Sequence, residues 1–194
     1  MKEFGAAIGY TQSDEISLIL WEAAPESELA HAGKFQKLVS RTASKATNLF
    51  FRAATAESLH AFIDRQFPEF DARAFNCSRD DAAKCILWRV IDARKNAIQM
   101  VAQHHFSPKQ LHGKHGDAML EMLQGIDVDF SVLPTFFQRG TLLRREVVKR
   151  EMTADEMARI PEQYRPVGPI DRTDIVEIDV PNLYEVEGRD SLFA

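Results

Sequence analysis

The run from Asp80 to Phe106 leaves a folding chain little choice. Apolar residues at 83, 86, 87, 90, 91, 98, 101 and 102 recur along it, and a pattern of that period is satisfied by a helix. At 1.5 Å per residue the helix is ~40 Å long, so its apolar face demands a large partner. Ser78 stands at the place of an N-cap. Arg89, Asp92, Asn96, Gln99 and Gln103 share the opposite, polar face, where an intrahelical Arg89–Asp92 pair is one reading. Arg94 falls in phase with the apolar stripe, where a charge must snorkel or find a partner.

Upstream, Gly5 to Trp21 reads as a hairpin. Ala6 to Tyr10 and Ile16 to Trp21 are its strands, and Gln12-Ser13-Asp14 is the turn. A polar loop from Glu22 to Gly33, containing Pro25 and Ser27, leads into a helix from Lys34 to Ala54. One face of that helix carries Phe35, Leu38, Val39, Thr42, Ala43, Ala46, Leu49 and Phe50. The other is a stripe of Lys34, Lys37, Arg41, Lys45, Asn48 and Arg52. A short helix is expected over 56–66 and a short strand from Phe70 to Cys77. Ser107-Pro108 ends the long helix and starts another, running through Met119, Met122 and Leu123 to Gly125. Phe137 to Lys149 reads as a strand or hairpin arm, with Arg139 and Gly140 at its start. After Thr153, Pro161, Pro166, Pro169 and Pro181 punctuate an extended tail with one strand, Ile175 to Val180. The order predicts an α+β fold, with a partial, ferredoxin-like palm sheet, antiparallel and packed by long helices, and a C-terminal extended tail. The expected organisation is an incomplete palm part over 1–77, a helical region and returning strand of the same domain over 78–152, and a C-terminal tail over 153–194.

A chain of 194 residues with 45% hydrophobic and 27% charged residues can bury a core without disulfides. Cys77 and Cys85 are too few for a disulfide framework and lack metal-knuckle spacing. Two reduced thiols, no apolar run of ~20 residues and no signal-peptide core at the start point to a cytoplasmic protein with no membrane contact. The net charge of −5 excludes a uniformly basic nucleic-acid module, so any RNA contact must come from clustered cations.

Ser13-Asp14-Glu15 is the chemistry-bearing segment. Acidic residues at a hairpin tip suit Mg²⁺, which takes one or two carboxylates plus phosphate oxygens and water. Successive strand side chains point to opposite faces, so Asp14 and Glu15 reach one ion together only if the turn departs from regular strand. A solvent-facing acidic turn is the other reading. Lys34 and Lys37 sit in the first turn of their helix, where cations oppose the dipole and an anionic ligand would relieve them; a solvated basic face fits equally. His112 and His115 have no third ligand, and His104-His105 suits a helix C-terminus.

In combination and order these features resemble the tRNA-histidine guanylyltransferase superfamily, most closely its bacterial and phage branch. The resemblance is carried by Gly9-Tyr10-Thr11-Gln12-Ser13-Asp14-Glu15-Ile16-Ser17 and by Lys37-Leu38-Val39-Ser40. It continues through Phe70-Asp71-Ala72-Arg73, through Trp88-Arg89 with Asp92 and Asn96, and through Phe137-Gln138-Arg139-Gly140-Thr141. The tail segment from Arg172-Thr173 to Val180 is also similar to the family. The resemblance implies a polymerase-like palm that adds nucleotides to the 5′ end of tRNA in the 3′-to-5′ direction, with two Mg²⁺ ions and with ATP and GTP as substrates. It also implies a homo-oligomer, often a tetramer. It makes Asp14 and Glu15 catalytic, with Asp14 a metal ligand, and it assigns Ser13, Lys34, Lys37 and Ser40 to the nucleotide. Arg41, Arg94, Asn96, Lys114 and Arg139 fall to RNA.

Two departures qualify it. The family's HINNLYN run corresponds here to Arg94-Lys95-Asn96-Ala97-Ile98-Gln99-Met100, which keeps the first asparagine and favours 5′-end repair over strict histidine-tRNA recognition. The family's first strand, with its aspartate-glycine pair, has no counterpart among these residues, so the expectation is half of a two-metal site in an N-terminally truncated chain. The competing expectation is an inactive RNA-binding or oligomerisation fragment. A diguanylate-cyclase-like palm is disfavoured by the lack of a GGDEF-type turn.

Overall fold

A computed structural model describes residues 1–21 and 28–193. The chain forms two compact units: one of residues 1–2, 6–20 and 79 onward, and one of residues 3–5 and 21–78.

The first unit is built on a four-stranded antiparallel sheet in the order β2-β1-β3-β4. Its strands are β1 (Ile8–Gln12), β2 (Glu15–Ile19), β3 (Thr141–Arg150) and β4 (Ile170–Ile178). The β1–β2 hairpin is tighter than the sequence suggested. Gln12 pairs with Glu15, so only Ser13 and Asp14 form the loop. Ser13 takes φ +48°, the positive φ that a two-residue hairpin turn wants. β1 is central and its residues Ile8, Tyr10 and Gln12 are buried.

The expected arm over Phe137 to Lys149 divides at Gly140. Phe137 to Arg139 belong to a short helix, Thr135–Arg139, and the strand starts only at Thr141. The C-terminal stretch does more than trail. β4 pairs with β3 from Ile170 to Ile178, so the strand expected at Ile175 to Val180 is longer and part of the sheet. Leu183 and Leu192 beyond it are buried, and a last helix, Val186–Ser191, is tied by Arg189 to Asp80 at 2.5 Å.

The long helix is present as Arg79–His105. Between it and Thr135 the expected single helix is broken into Pro108–Leu111 and Gly116–Gln124, because Gly113 turns the chain at φ +70°. In chain order the helices are α1 (Phe35–Ala56), α2 (His60–Gln66), α3 (Arg79–His105), α4 (Pro108–Leu111), α5 (Gly116–Gln124), α6 (Thr135–Arg139), α7 (Ala154–Ala158) and α8 (Val186–Ser191). The second half of α3 supplies Ala97, Ile98 and Ala102 to a core shared with Leu111, Met119 and Phe130. No helix among the described residues is long and apolar enough to cross a membrane.

The second unit is α1 and α2 with their flanking segments. Pro25 and Ser27 of the expected polar loop lie outside the described residues. The strand expected from Phe70 to Cys77 is not formed. Phe70 instead lies on α1: its N–H donates to Thr47 Oγ1 at 3.0 Å, and its ring meets Phe50 at 5.8 Å. With its backbone bonded to a helix side chain, the segment has no strand to pair with, and its side chains from Arg73 to Cys77 are exposed.

Candidate functional site

In the first unit the candidate residues gather around the hairpin tip. Ser13 and Asp14 are exposed there. Glu15, one residue on, is already engaged: its carboxylate accepts from Arg89 Nη1 at 2.5 Å and from Gln12 Nε2 at 3.1 Å. Arg89 comes from α3 and is mostly covered, its side chain 18% exposed. Its guanidinium sits 4.0 Å from the Trp88 ring centroid, and its buried Nε finds no acceptor. The expected Arg89–Asp92 pair is therefore replaced by a bond to the sheet. Asp92 accepts from Asn96 instead, at 3.2 Å.

Beneath the tip, Tyr10 is buried. Its hydroxyl donates to the Arg139 carbonyl at 2.7 Å. Burial pushes the phenol up to about 12; the Arg89 charge opposes this, and the Glu15 and Asp92 carboxylates add to it. Gly140 follows at φ +74°, packed so closely that a Cβ there would meet Thr11's carbonyl oxygen at 2.6 Å. The Arg139-Gly140-Thr141 motif thus has a local reason: glycine alone allows α6 to turn into β3 against β1. The Arg139 side chain approaches Asp179 at 3.7 Å.

Two candidates on α3 stand apart. Arg94 and Asn96 are about 160° from each other around a helix of 3.6 residues per turn, so one surface does not present both. Arg94 resolves its awkward phase by reaching over the Phe130 ring at 5.4 Å. Lys114 is exposed in the α4–α5 turn.

In the second unit, Lys34 is the extended residue that precedes α1, and Lys34 and Lys37 are exposed. No acidic residue occupies the first turn of α1. Ser40 Oγ donates to the Lys37 carbonyl at 3.3 Å. The basic stripe is partly neutralised further on: Glu3 takes Arg41 at 3.3 Å and Lys45 at 2.5 Å. Those cations, Lys45 first, hold the Glu3 carboxyl below its usual range.

Comparison with known proteins bears on both units. The family model described as "Thg1: tRNAHis guanylyltransferase" matches residues 1–78, which takes in the hairpin and all of α1. A bacterial tRNA(His) guanylyltransferase (Thg1)-like protein, solved in complex with ATP, superposes with a TM-score of 0.66 at 32% identity over 74% of this chain and 60% of that one. Over residues 1–78 the chain is similar to the tRNA-histidine guanylyltransferase family, and its fold is similar to that of bacterial members. A second bacterial superfamily structure, in complex with GTP, superposes with a TM-score of 0.60 at 25% identity, covering 89% of this chain and 62% of that one. "Uncharacterized protein R259" of Acanthamoeba polyphaga mimivirus is 25% identical over 173 residues, spanning 78% of this chain and 59% of its own length. The chain thus spans about three fifths of the length of the relatives it matches.

For a metal, the donor set is sparse. Among the described residues no three His, Cys, Asp or Glu side chains gather in one place. Asp14 is a single exposed hard-oxygen donor, which fits Mg²⁺ only in the manner where phosphate oxygens and water complete the shell.

Proposed function

We propose that the chain is a nucleotidyltransferase acting on the 5′ end of tRNA in the 3′-to-5′ sense, with Asp14 as its carboxylate at the reacting phosphates. The observation that carries this reading is the Ser13-Asp14 turn, a carboxylate held out on a braced hairpin. The matched superfamily structures, solved with ATP and GTP, support it. Ser13 offers a hydroxyl beside Asp14. Lys34 and Lys37 offer charge to a triphosphate at a helix start free of acidic residues. Ser40 joins them only by giving up its bond within α1. Asn96, Arg139, Lys114, Arg94 and Arg41 are assigned to the RNA; Arg41 competes for that role with its partner Glu3.

In the proposed reaction a nucleoside triphosphate caps the 5′ phosphate and releases pyrophosphate. The 3′-hydroxyl of an incoming nucleotide then displaces the cap as a nucleoside monophosphate. Bound Mg²⁺ would neutralise phosphate charge, with Asp14 as its protein ligand. The departures around Asn96 favour 5′-end repair as the role. Self-association belongs to the same proposal and is read by sedimentation.

The test is nucleotide addition to a 5′-monophosphorylated tRNA lacking its first nucleotide, with ATP, GTP and Mg²⁺. Lengthening by one nucleotide is expected, with loss in Asp14→Ala. The lone carboxylate favours a second reading, binding of RNA without catalysis. RNA retention by a chain that lengthens nothing in this assay would select it.

A further inference from the structure

We infer that Arg89 is a positioning residue for the Ser13-Asp14 turn, and that Glu15 serves as the anchor through which it acts rather than as an open metal ligand. Four observations converge. Glu15 has Arg89 Nη1 at 2.5 Å and Gln12 Nε2 at 3.1 Å, so its carboxylate is spent on protein donors. Arg89 is largely covered, stacked at Trp88, and leaves Nε buried without an acceptor. A desolvated donor is costly to leave unmade, so this guanidinium stays where it is only because packing and Glu15 hold it. Arg89 is also the link between the hairpin tip and α3, 74 residues along the chain. Finally, Asp14 sits in the two-residue turn directly before Glu15 and is exposed. Consecutive acidic residues therefore divide the work: one fastens the hairpin and its neighbour faces outward.

The inference rests on the proposed function only for its kinetic arm. Its direct test is hydrogen exchange at the β1 and β2 amides. Glu15→Gln and Arg89→Met should each speed exchange there about tenfold, the effect of losing a charge-assisted bond. The double variant should be no worse than either single, and the exchanged pair Glu15→Arg with Arg89→Glu should recover protection. Asp14→Ala should leave exchange unchanged. In the lengthening assay, both single variants should lose kcat with little change in KM for the triphosphate. Arg89→Lys should rescue part of the loss, and the exchanged pair should regain activity that Asp14→Ala never does. Unchanged hairpin exchange in Glu15→Gln, or additive effects in the double variant, would overturn the anchor role. A chain with no activity in any form counts against the proposed function, while the exchange arm still decides the anchor.

Discussion

A Cβ on Gly140 would lie 2.5 Å from Tyr10 Oη. The two residues leave each other no slack, and the Tyr10 hydroxyl is held in that gap by the Arg139 carbonyl. Gly140→Ala combines this overlap with a positive φ, so it should destabilise the first unit by about 3 kcal/mol. Gly113→Ala has the same kind of φ but nothing within 4 Å, and should cost only about 1 kcal/mol. Urea unfolding of the two variants measures the difference.

Tyr10 also makes stability depend on alkaline pH. Its pKa is raised from 10.0 to about 12, so the folded chain keeps the phenolic proton after the unfolded chain has lost it. Stability should be constant with respect to this group below pH 10 and fall as pH rises from 10 toward 12. In Tyr10→Phe that part of the decline should vanish, with ~1 kcal/mol lost at neutral pH because the carbonyl of Arg139 loses its donor. Thermal melts at stepped pH read both effects.

At the other end of β3, Arg150 bonds Glu156 at 2.8 Å and Asp174 at 2.8 Å. Arg150 first, and then the Thr153 backbone, hold the Glu156 carboxyl well below its ordinary value of 4.5. A depressed carboxylate contributes its full stability above its unfolded pKa and loses it progressively as pH falls from there through its folded pKa. The ends of β3 and β4 should therefore loosen progressively as pH falls below ~4.5. Glu156→Gln should flatten that acid limb in a pH series of melts.

Lys37→Ala should weaken triphosphate binding about tenfold, equivalent to ~1.4 kcal/mol, with an unchanged melting temperature because its side chain is exposed. Arg41→Ala should do less to nucleotide and more to the segment at Glu3, since that cation is already shared. Titration with GTP by calorimetry, beside melting curves, separates the two.

The hairpin, α1 and α3 were legible in the sequence because period and turn chemistry are local. The Phe70 to Cys77 segment was not: its residues suit a strand, but Thr47 and Phe50 on α1 claim it first. Arg89 was misplaced on the polar face for an instructive reason. The buried line on α3 runs through Ala82, Ile86, Ala93 and Ala97, and position 89 falls in step with it. Alanines carry little hydrophobic signal, so that line does not stand out in the sequence. The Gly140 requirement was invisible for a different reason: it depends on Tyr10, which the chain brings alongside only after 129 residues.

That separation orders events during synthesis. β1 is an inner strand of its sheet, yet one of its two neighbours, β3, begins only at Thr141. Residues 21–78 belong with residues 3–5 to one compact unit and emerge from the ribosome before β3 exists. The edge of β1 that pairs with β3 therefore stays open while the intervening segment folds. Loop closure over such a span is slow relative to local helix formation, so that interval is when the nascent protein is most exposed to misassociation through its open strand.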